Sequence, residues 1–311
     1  MRTFHESVVA ADEIDGLGHL NVRYYIARAL RANAVLMDGL GLDPASLGAR
    51  LVQADTYTRY HREQFEGSTL QVRGGVLEAH GDRIRVYFEV CNGANAEVAA
   101  TFILPFVLAD QATRAPIRIP EPVLAEAADA LVTLPEHGGP RTIDLGPPRI
   151  DLSYAELESR LGEGEATDPM SWRMERTIEP ESCDAFGFLS DSEDFMFGQV
   201  RNIGPADEKN WGPMTFTTEE GHRVGWASLE TRNVRVSQPR AGDVICSIGA
   251  EIGLHAKVRH SRRWIFNRTT GQLVQLNDNI ALALDLDARR SIEIPSKLRS
   301  QLEKRHLPEF A

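Results

Sequence analysis

The chain repeats its own outline, and that repetition limits the folds open to it. The stretch "DGLGHLN" (Asp15–Asn21) returns 169 positions later as "DAFGFLS" (Asp184–Ser190), keeping the acid, the second glycine and the leucine. Further on, "FEGSTLQV" aligns with "RAGDVICS" through Gly67 and Gly242, 175 positions apart. The same 175 relates Asn92 to Asn267. A common offset over two landmarks, with six residues (175 − 169) inserted upstream of them, predicts a duplicated domain. The alternative is chance matching of common turn residues. A length of 311 residues fits about two domains.

Each half follows one order: short strand, loop, helix, then several strands. In the first half, Ile26, Ala29, Leu30, Met37 and Leu40 recur at helical spacing. Asn21 is a suitable N-cap for that helix, and Gly39 and Gly41 are suitable stops. "LDPASLGARL" predicts a short second helical piece, with Asp43 as cap and Pro44 in the first turn. Strands are expected in "DTYTRYHREQF", "STLQVRGGVLEA", "DRIRVYFEVCN" and "EVAATFILPFVLA", divided by turn residues. One helix and four to five antiparallel strands must cover a single apolar sheet face, so the sheet should wrap around the helix.

In the second half, "SDSEDFMFGQVRNIGP" has a capping-box outline, Ser190 with Glu193, and a Gly204–Pro205 stop. Strands are expected in "ETRNVRVSQ", "DVICSIGAEIGL", "AKVRHSRRWIFN" and "QLVQLNDNIALALDLD". The end, "SKLRSQLEKRHL", reads as a solvated polar helix. Between the halves, residues 111–170 hold 8 of the 16 prolines. This density blocks continuous helix and central strand, leaving room for a short helix in "PVLAEAADALV". The expected organisation is residues 1–112, a connector over 113–170, and 171–311 with its tail.

The formal charge of −11 provides no global basic field for nucleic acid. Cys91, Cys183 and Cys246 are scattered and show no metal-ligand spacing, which fits a reducing compartment. The first residues lack the apolar run of a signal peptide, and no stretch approaches the roughly 20 apolar residues of a membrane helix. A cytoplasmic protein without metal or redox cofactor is expected.

"DGLGHLN" places a carboxylate, two permissive glycines and a helix start within seven residues. A carboxylate can attack a carbonyl or activate a water. A helix N-terminus has unpaired N–H groups suited to developing negative charge. Gly16 and Gly18 let backbone approach a ligand closely. The same residues also suit a structural reading, with Asp15 as a turn former and Asn21 as a cap. Asp184 is read as a structural turn residue. Glu63, on the expected strand, is either a second acid or an exposed strand carboxylate. Tyr25 is expected in the core or a pocket wall.

A strand–loop–helix–four-strand unit with D-G-L-G-H-L-N at the helix start resembles the hotdog fold. In particular it resembles thioesterases of the 4-hydroxybenzoyl-CoA type, whose loop reads D-x-x-G-H-x-N. The downstream "EQFEGSTLQVRGGVLEAHGDRIRVYFEVCN" resembles that family's strand, turn and hairpin. Two copies resemble a double-hotdog thioesterase, an arrangement also seen in acyl-ACP thioesterases. The resemblance implies an α+β fold of two tandem hotdog domains, each an antiparallel sheet wrapped around a long helix. It implies hydrolysis of an acyl-CoA, or of an acyl-ACP, to free acid and thiol, and a homodimer. The loop acid carries to Asp15, and the backbone oxyanion donor to Val22. His19 and Asn21 carry to the positions that order the loop. The substrate would also meet Gly18, Tyr25 and Glu63. The second copy departs from the pattern, with Phe188 at the place of His19 and Ser190 at that of Asn21.

Residues 252–276 hold Lys257, Arg259, Arg262, Arg263 and Arg268 with no acid, +5 in 25 residues. On a strand, Lys257, Arg259 and Arg263 share one face. Such a patch suits CoA phosphates or an acidic carrier protein, or is simply a solvated strand. Two other functions stay open: an acyl-thioester hydratase or dehydratase of the same fold, and a non-catalytic acyl-thioester-binding module.

Overall fold

The computed structural model describes residues 1–161, 174–190, 215–218 and 221–311. The chain forms two compact units, Met1–Arg141 and Thr142–Ala311.

The first unit opens with β1 (Arg2–Val8), followed by a 3-10 turn at Ala11–Glu13 and α1 (Val22–Gly39). Helix α1 begins where Asn21 caps it: the Asn21 side chain accepts from the Arg23 N–H at 3.1 Å. It stops at Gly39, with Gly41 in the left-handed region at φ 73°. Five strands follow: β2 (Ala49–Gln53), β3 (Asp55–Tyr60), β4 (Thr69–His80), β5 (Arg83–Asn92) and β6 (Val98–Asp110). All pairings are antiparallel, in the order β1-β4-β5-β6-β3, with β2 also on β6. Helix α1 packs against β1, β4, β5 and β6, and its Tyr25 ring meets Tyr60 edge-on at 6.0 Å. Its buried side includes Ile26, Ala29, Ala32, Leu36 and Met37.

The expected second helical piece is shorter than its pattern. Only Ala45–Leu47 turns, as a 3-10 helix, with Asp43 accepting from the Ala45 N–H at 3.1 Å. Gly48, at φ 59°, ends it, and Ala49 onward becomes β2 along the end of β6. Pairing with an open strand prevails over a weak helical pattern there.

The second unit contains β7 (Met174–Thr177), β8 (Thr215–Thr217), β9 (Arg223–Arg235), β10 (Val244–Leu254), β11 (Val258–Asn267), β12 (Leu273–Asp285) and β13 (Arg290–Ser291). Its antiparallel order is β9-β12-β11-β10-β7. Register repeats the first unit residue for residue. Val72 faces Val90, and Ser247 faces Ile265; Phe88 faces Phe102, and Arg263 faces Asn277. Each pair lies 175 positions from its counterpart. Gly67 and Gly242 both take positive φ, 79° and 86°. The helix expected from Ser190 to Pro205 lies, beyond Ser190, outside the described residues.

The units divide at 141/142, inside the stretch 113–170 read as connector. Residues up to 141 pack on the first unit. Helix α2 (Glu121–Asp129), the expected short helix, lies on β4, and the Val132 N–H bonds to the Val76 carbonyl at 2.8 Å. A Cβ on Gly138 would come within 2.4 Å of the Tyr87 hydroxyl, so that backbone can lie against the sheet only as glycine. Residues from 142 pack on the second unit. Glu230 accepts from the Thr142 and Ile143 N–H groups, Arg232 donates to the Asp144 and Gly146 carbonyls, and α3 (Tyr154–Leu161) lies on β10. The prolines therefore produce extended chain that is strapped to a sheet.

The C-terminal helix, Ser296–Glu303, is less solvated than its polar composition implies. Leu298 and Leu302 are buried with Val224, Ala283 and Ile294. Two leucines four apart place one apolar stripe on an otherwise polar helix. Among the described residues, no helix is long and apolar enough to cross a membrane.

Candidate active site

The loop from Asp15 to Asn21 is closed by an antiparallel bridge between Ile14 and Leu20. Within it, the Asp15 N–H donates to the His19 carbonyl at 3.0 Å and the Gly18 N–H to the Asp15 carbonyl at 2.9 Å. Gly18 has φ 82°, a left-handed conformation that favours glycine. The Leu17 N–H donates to Asp15 Oδ1 at 2.9 Å, fixing the carboxylate. The Leu20 N–H bonds to the Gln64 carbonyl at 2.7 Å. This bond ties the loop to the segment that follows β3.

That tie brings three titratable groups together. His19 Nδ1 lies 3.6 Å from Asp15 Oδ2, and His19 Nε2 lies 3.7 Å from Glu63 Oε1. The Asp15 and His19 side chains are 10% and 13% exposed, and Glu63 is 36% exposed. Burial raises the Asp15 carboxyl above its ordinary pKa. His19 and the Leu17 and His19 amides pull against this, and the Glu63 charge adds to it. The result is a desolvated carboxylate that is a stronger base than a surface aspartate.

Glu63 differs from its expected place. Strand β3 ends at Tyr60. The His61 and Arg62 N–H groups then both donate to the Ala99 carbonyl, at 2.8 and 3.2 Å. Two donors on one acceptor break the register, and the chain turns Glu63 out of the sheet and toward His19. Tyr25 is 3% exposed, with its hydroxyl 3.4 Å from the Arg62 carbonyl. It supports this segment from below, and burial raises its phenol. Val22 is the first residue of α1, so no carbonyl within the helix reaches its N–H.

The second loop keeps the backbone of the first, with Phe188 and Ser190 in place of His19 and Asn21. The Asp184 N–H donates to the Phe188 carbonyl at 2.8 Å and the Gly187 N–H to the Asp184 carbonyl at 2.9 Å. Gly187 has φ 78°. Asp184 Oδ1 accepts from the Phe186 and Phe188 N–H groups at 2.9 and 3.2 Å. Phe188 is buried under the Arg240 guanidinium, 3.9 Å from its ring centre. Gln238, 175 positions after Glu63, donates to the Leu189 carbonyl at 3.1 Å.

The basic stretch does not form a surface patch. Arg262 pairs with Asp278 at 2.7 Å, and Arg268 with Glu175 at 3.0 Å. Arg259 is 3% exposed, lies over the Trp226 ring at 4.7 Å and meets Glu251 at 3.5 Å. Burial, with the like charge of Arg259 second, lowers Arg263 to about 10. The acids come from neighbouring strands, which a linear window cannot show. Lys257 alone of the stretch's shared face is exposed. Among the described residues, no group of three His, Cys, Asp or Glu side chains is placed to hold a metal ion.

Residues 8–127, which include this loop, match the thioesterase-like superfamily. The thioesterase-like segment runs from the last residue of β1 into α2 and contains Asp15, His19 and Glu63. No curated protein matches the chain. Among solved structures, the chain is similar to a 12:0-ACP thioesterase from Umbellularia californica, with a TM-score of 0.62 and 11% identity over 90% of this chain and 93% of the other. It is also similar to an acyl-ACP thioesterase from Bacteroides thetaiotaomicron, with a TM-score of 0.58 and 12% identity over 89% and 96%. At such identities the likeness is one of fold: a hotdog-like thioesterase fold with a large antiparallel sheet and few helices.

Proposed function

We propose that the protein hydrolyses an acyl thioester to a free acid and a thiol, with Asp15 as the base. The observation that carries this reading is the desolvated Asp15 carboxylate, fixed by the Leu17 amide and met by His19, within a thioesterase-like segment. Asp15 takes a proton from a water whose oxygen bonds to the thioester carbonyl carbon. The Val22 N–H stabilises the oxyanion, a contribution of about 3–4 kcal/mol for a donor of this kind. Collapse breaks the C–S bond, and the proton passes from Asp15 to the leaving thiolate. His19, between Asp15 and Glu63, positions the carboxylate. Asn21 holds the helix mouth, and Gly18 and Tyr25 shape the approach.

The chain is read as two tandem hotdog domains, each wrapped around a long helix. The matching strand registers and paired loops support this reading. Only the first loop carries the hydrolytic set, so one working site is proposed per chain. The carrier is CoA or an acyl carrier protein; the acyl-ACP enzymes of similar fold keep the second open. The proposed setting is the cytoplasm.

Thiol release from a panel of acyl-CoA and acyl-ACP thioesters, compared between the intact protein and Asp15→Asn, tests the proposal. The amide can still accept from Leu17, so the loop is kept. A loss of at least about 100-fold is expected for removal of a general base. Unchanged release would remove Asp15 from the mechanism. Hydration of an enoyl thioester without thiol release would assign the protein to the hydratases instead.

A further inference from the structure

Arg28 is an arginine inside the protein, 1% exposed, on the side of α1 that meets β1. Each of its guanidinium nitrogens is engaged. Nε donates to Ser7 Oγ at 2.8 Å, Nη1 to the Tyr24 carbonyl at 3.1 Å, and Nη2 to Glu13 Oε2 at 2.6 Å and the Val8 carbonyl at 3.4 Å. The Glu13 Oε2 also accepts from the Ala10 N–H at 3.0 Å. Burial raises the Glu13 carboxyl, but the Arg28 hydrogen bond, followed by the Ala10 amide and the charges of Arg28 and Arg31, holds it below the ordinary range. An ion pair taken out of water gains little stability over apolar side chains of similar volume. Stability alone therefore does not account for this pair.

Glu13 is also where the Asp15 loop is anchored. Its carbonyl accepts from the Asn21 N–H at 3.0 Å, beside the bridge between Ile14 and Leu20. The same residue thus reaches α1 twice, by its backbone at the helix start and by its side chain at Arg28. Arg28 lies six residues beyond Val22, about 9 Å further along the axis. One attachment leaves a pivot; two hold both the position and the tilt of the loop that carries Asp15. In the second unit only the backbone attachment is seen among the described residues. Its 3-10 turn at Pro180–Ser182 and its bridge between Cys183 and Leu189 stand 169 positions after those of the first, and the Ser190 N–H donates to the Ser182 carbonyl at 2.9 Å. The residues 169 positions after Glu13 and Arg28 are Ser182 and Phe197, which cannot form an ion pair. The loop backbone therefore closes without the pair, and the pair occurs in the unit whose loop brings His19 and Glu63 to an acid.

We propose that Arg28, acting through Glu13, is a positioning residue for thioester hydrolysis: the pair sets the separation between the Asp15 carboxylate and the Val22 N–H. This inference rests on the reading of Asp15 as the base. The acid and the oxyanion donor must serve one reacting carbonyl, and they belong to two segments, loop and helix, that the pair joins through side chains. A misplacement of about 1 Å can cost on the order of 100-fold in rate. Arg28 is withdrawn from solvent, so its loss acts on the chemical step rather than on ground-state binding.

Steady-state thiol release from the acyl thioester cleaved fastest in the panel above tests this. The full-length proteins compared are the intact chain, Arg28→Met, Arg28→Lys and the double variant Glu13→Leu/Arg28→Met, each shown to be folded by denaturant unfolding. The double variant strands no buried charge, so its stability should return toward that of the intact protein. Its kcat should nevertheless stay at least about ten-fold down, with KM changed by less than about two-fold. Its acid limb should also move to lower pH, because a loosened loop hydrates Asp15 and burial is what raises that carboxyl. The pair removed is neutral overall, so its charge does not account for such a move. Arg28→Lys keeps the charge but cannot span Ser7, Tyr24 and Glu13 at once, so its kcat should fall between those of Arg28→Met and the intact protein. A folded double variant with the kcat and acid limb of the intact protein would overturn the proposal. Asp15→Asn in the same assay separates the two readings. Release unchanged by Asp15→Asn removes the base and this inference with it. Release lost in Asp15→Asn beside an unaffected double variant removes the role of Arg28 alone.

Discussion

Glu63 Oε1 stands 3.7 Å from His19 Nε2, although 44 residues separate the two in the chain. The contact exists because β3 loses register after Tyr60 and the Gln64 carbonyl takes the Leu20 N–H. It makes His19 a bridge between two carboxylates, and it brings the Glu63 charge close enough to add to the burial that raises Asp15.

The rate of thiol release should rise with pH through a group above the ordinary aspartate value, because burial raises Asp15 and the ionised form is the base. The Glu63 charge contributes to that rise. Glu63→Gln should therefore move the acid limb of the kcat/KM profile to lower pH. A limb that stays in place, or moves upward, would separate Glu63 from Asp15.

The same burial has a stability consequence. A carboxyl whose folded pKa exceeds its unfolded value favours folding below the unfolded pKa and loses that contribution as pH rises through the folded one. At pH 7 the ionised Asp15 is thus a cost to the fold. Asp15→Asn should raise Tm at pH 7 while lowering activity, and the gain should shrink on acidification. Thermal unfolding of both proteins from pH 7 down toward pH 4 reads this directly.

Glu89 shows the opposite sign. It is fully buried and accepts from Arg73 at 2.8 Å, His137 at 2.6 Å and the Tyr87 hydroxyl at 3.0 Å. Burial raises its carboxyl, but these three partners together hold it below the ordinary range. Its contribution is present above the unfolded carboxylate pKa and is lost as pH falls through the folded one. Glu89→Ala should cost about 1–3 kcal/mol, as for removing a charged hydrogen-bond acceptor from partners of which Arg73 and His137 stay partly exposed. Denaturant unfolding at pH 7 would show it, and the deficit should diminish at low pH.

Gly18 and Gly187 have nearly the same backbone, φ 82° and 78°, with open space where a Cβ would stand. Alanine at either position should cost about 1–2 kcal/mol from the left-handed conformation alone. Only Gly18→Ala should reduce thiol release, since only its loop carries His19 and is met by Glu63. Equal losses of activity in both variants would mean that the second loop also takes part in hydrolysis.

Asn21 caps α1 through the Arg23 N–H. Asn21→Ala should lower stability by about 1 kcal/mol and also slow thiol release, because the capped end is where the Val22 N–H is presented. A Tm drop with unchanged kcat would confine Asn21 to the helix.

The elements were legible wherever local rules act alone. Asn21, Gly39 and Gly41 bounded α1 correctly, and the hairpin strands β4, β5 and β6 fell where period-two alternation and turn residues placed them. Ala49–Leu51 was read as helical because its strand partner, the end of β6, is more than 50 residues away. Glu63 was assigned to a strand because nothing local announces that His61 and Arg62 share one carbonyl. The basic stretch looked unopposed because Glu251, Asp278 and Glu175 reach it only across strands.

By itself, the sequence determined the repeated spacing, the loop-and-helix start and the candidate acid, since these rest on spacing and on residues that govern their own backbone. Only tertiary structure decided which groups surround that acid and which sheet face of each unit is buried. The reason is that desolvation and cross-strand charge depend on neighbours distant in sequence, and a strand's alternation does not say which of its two faces will lose water.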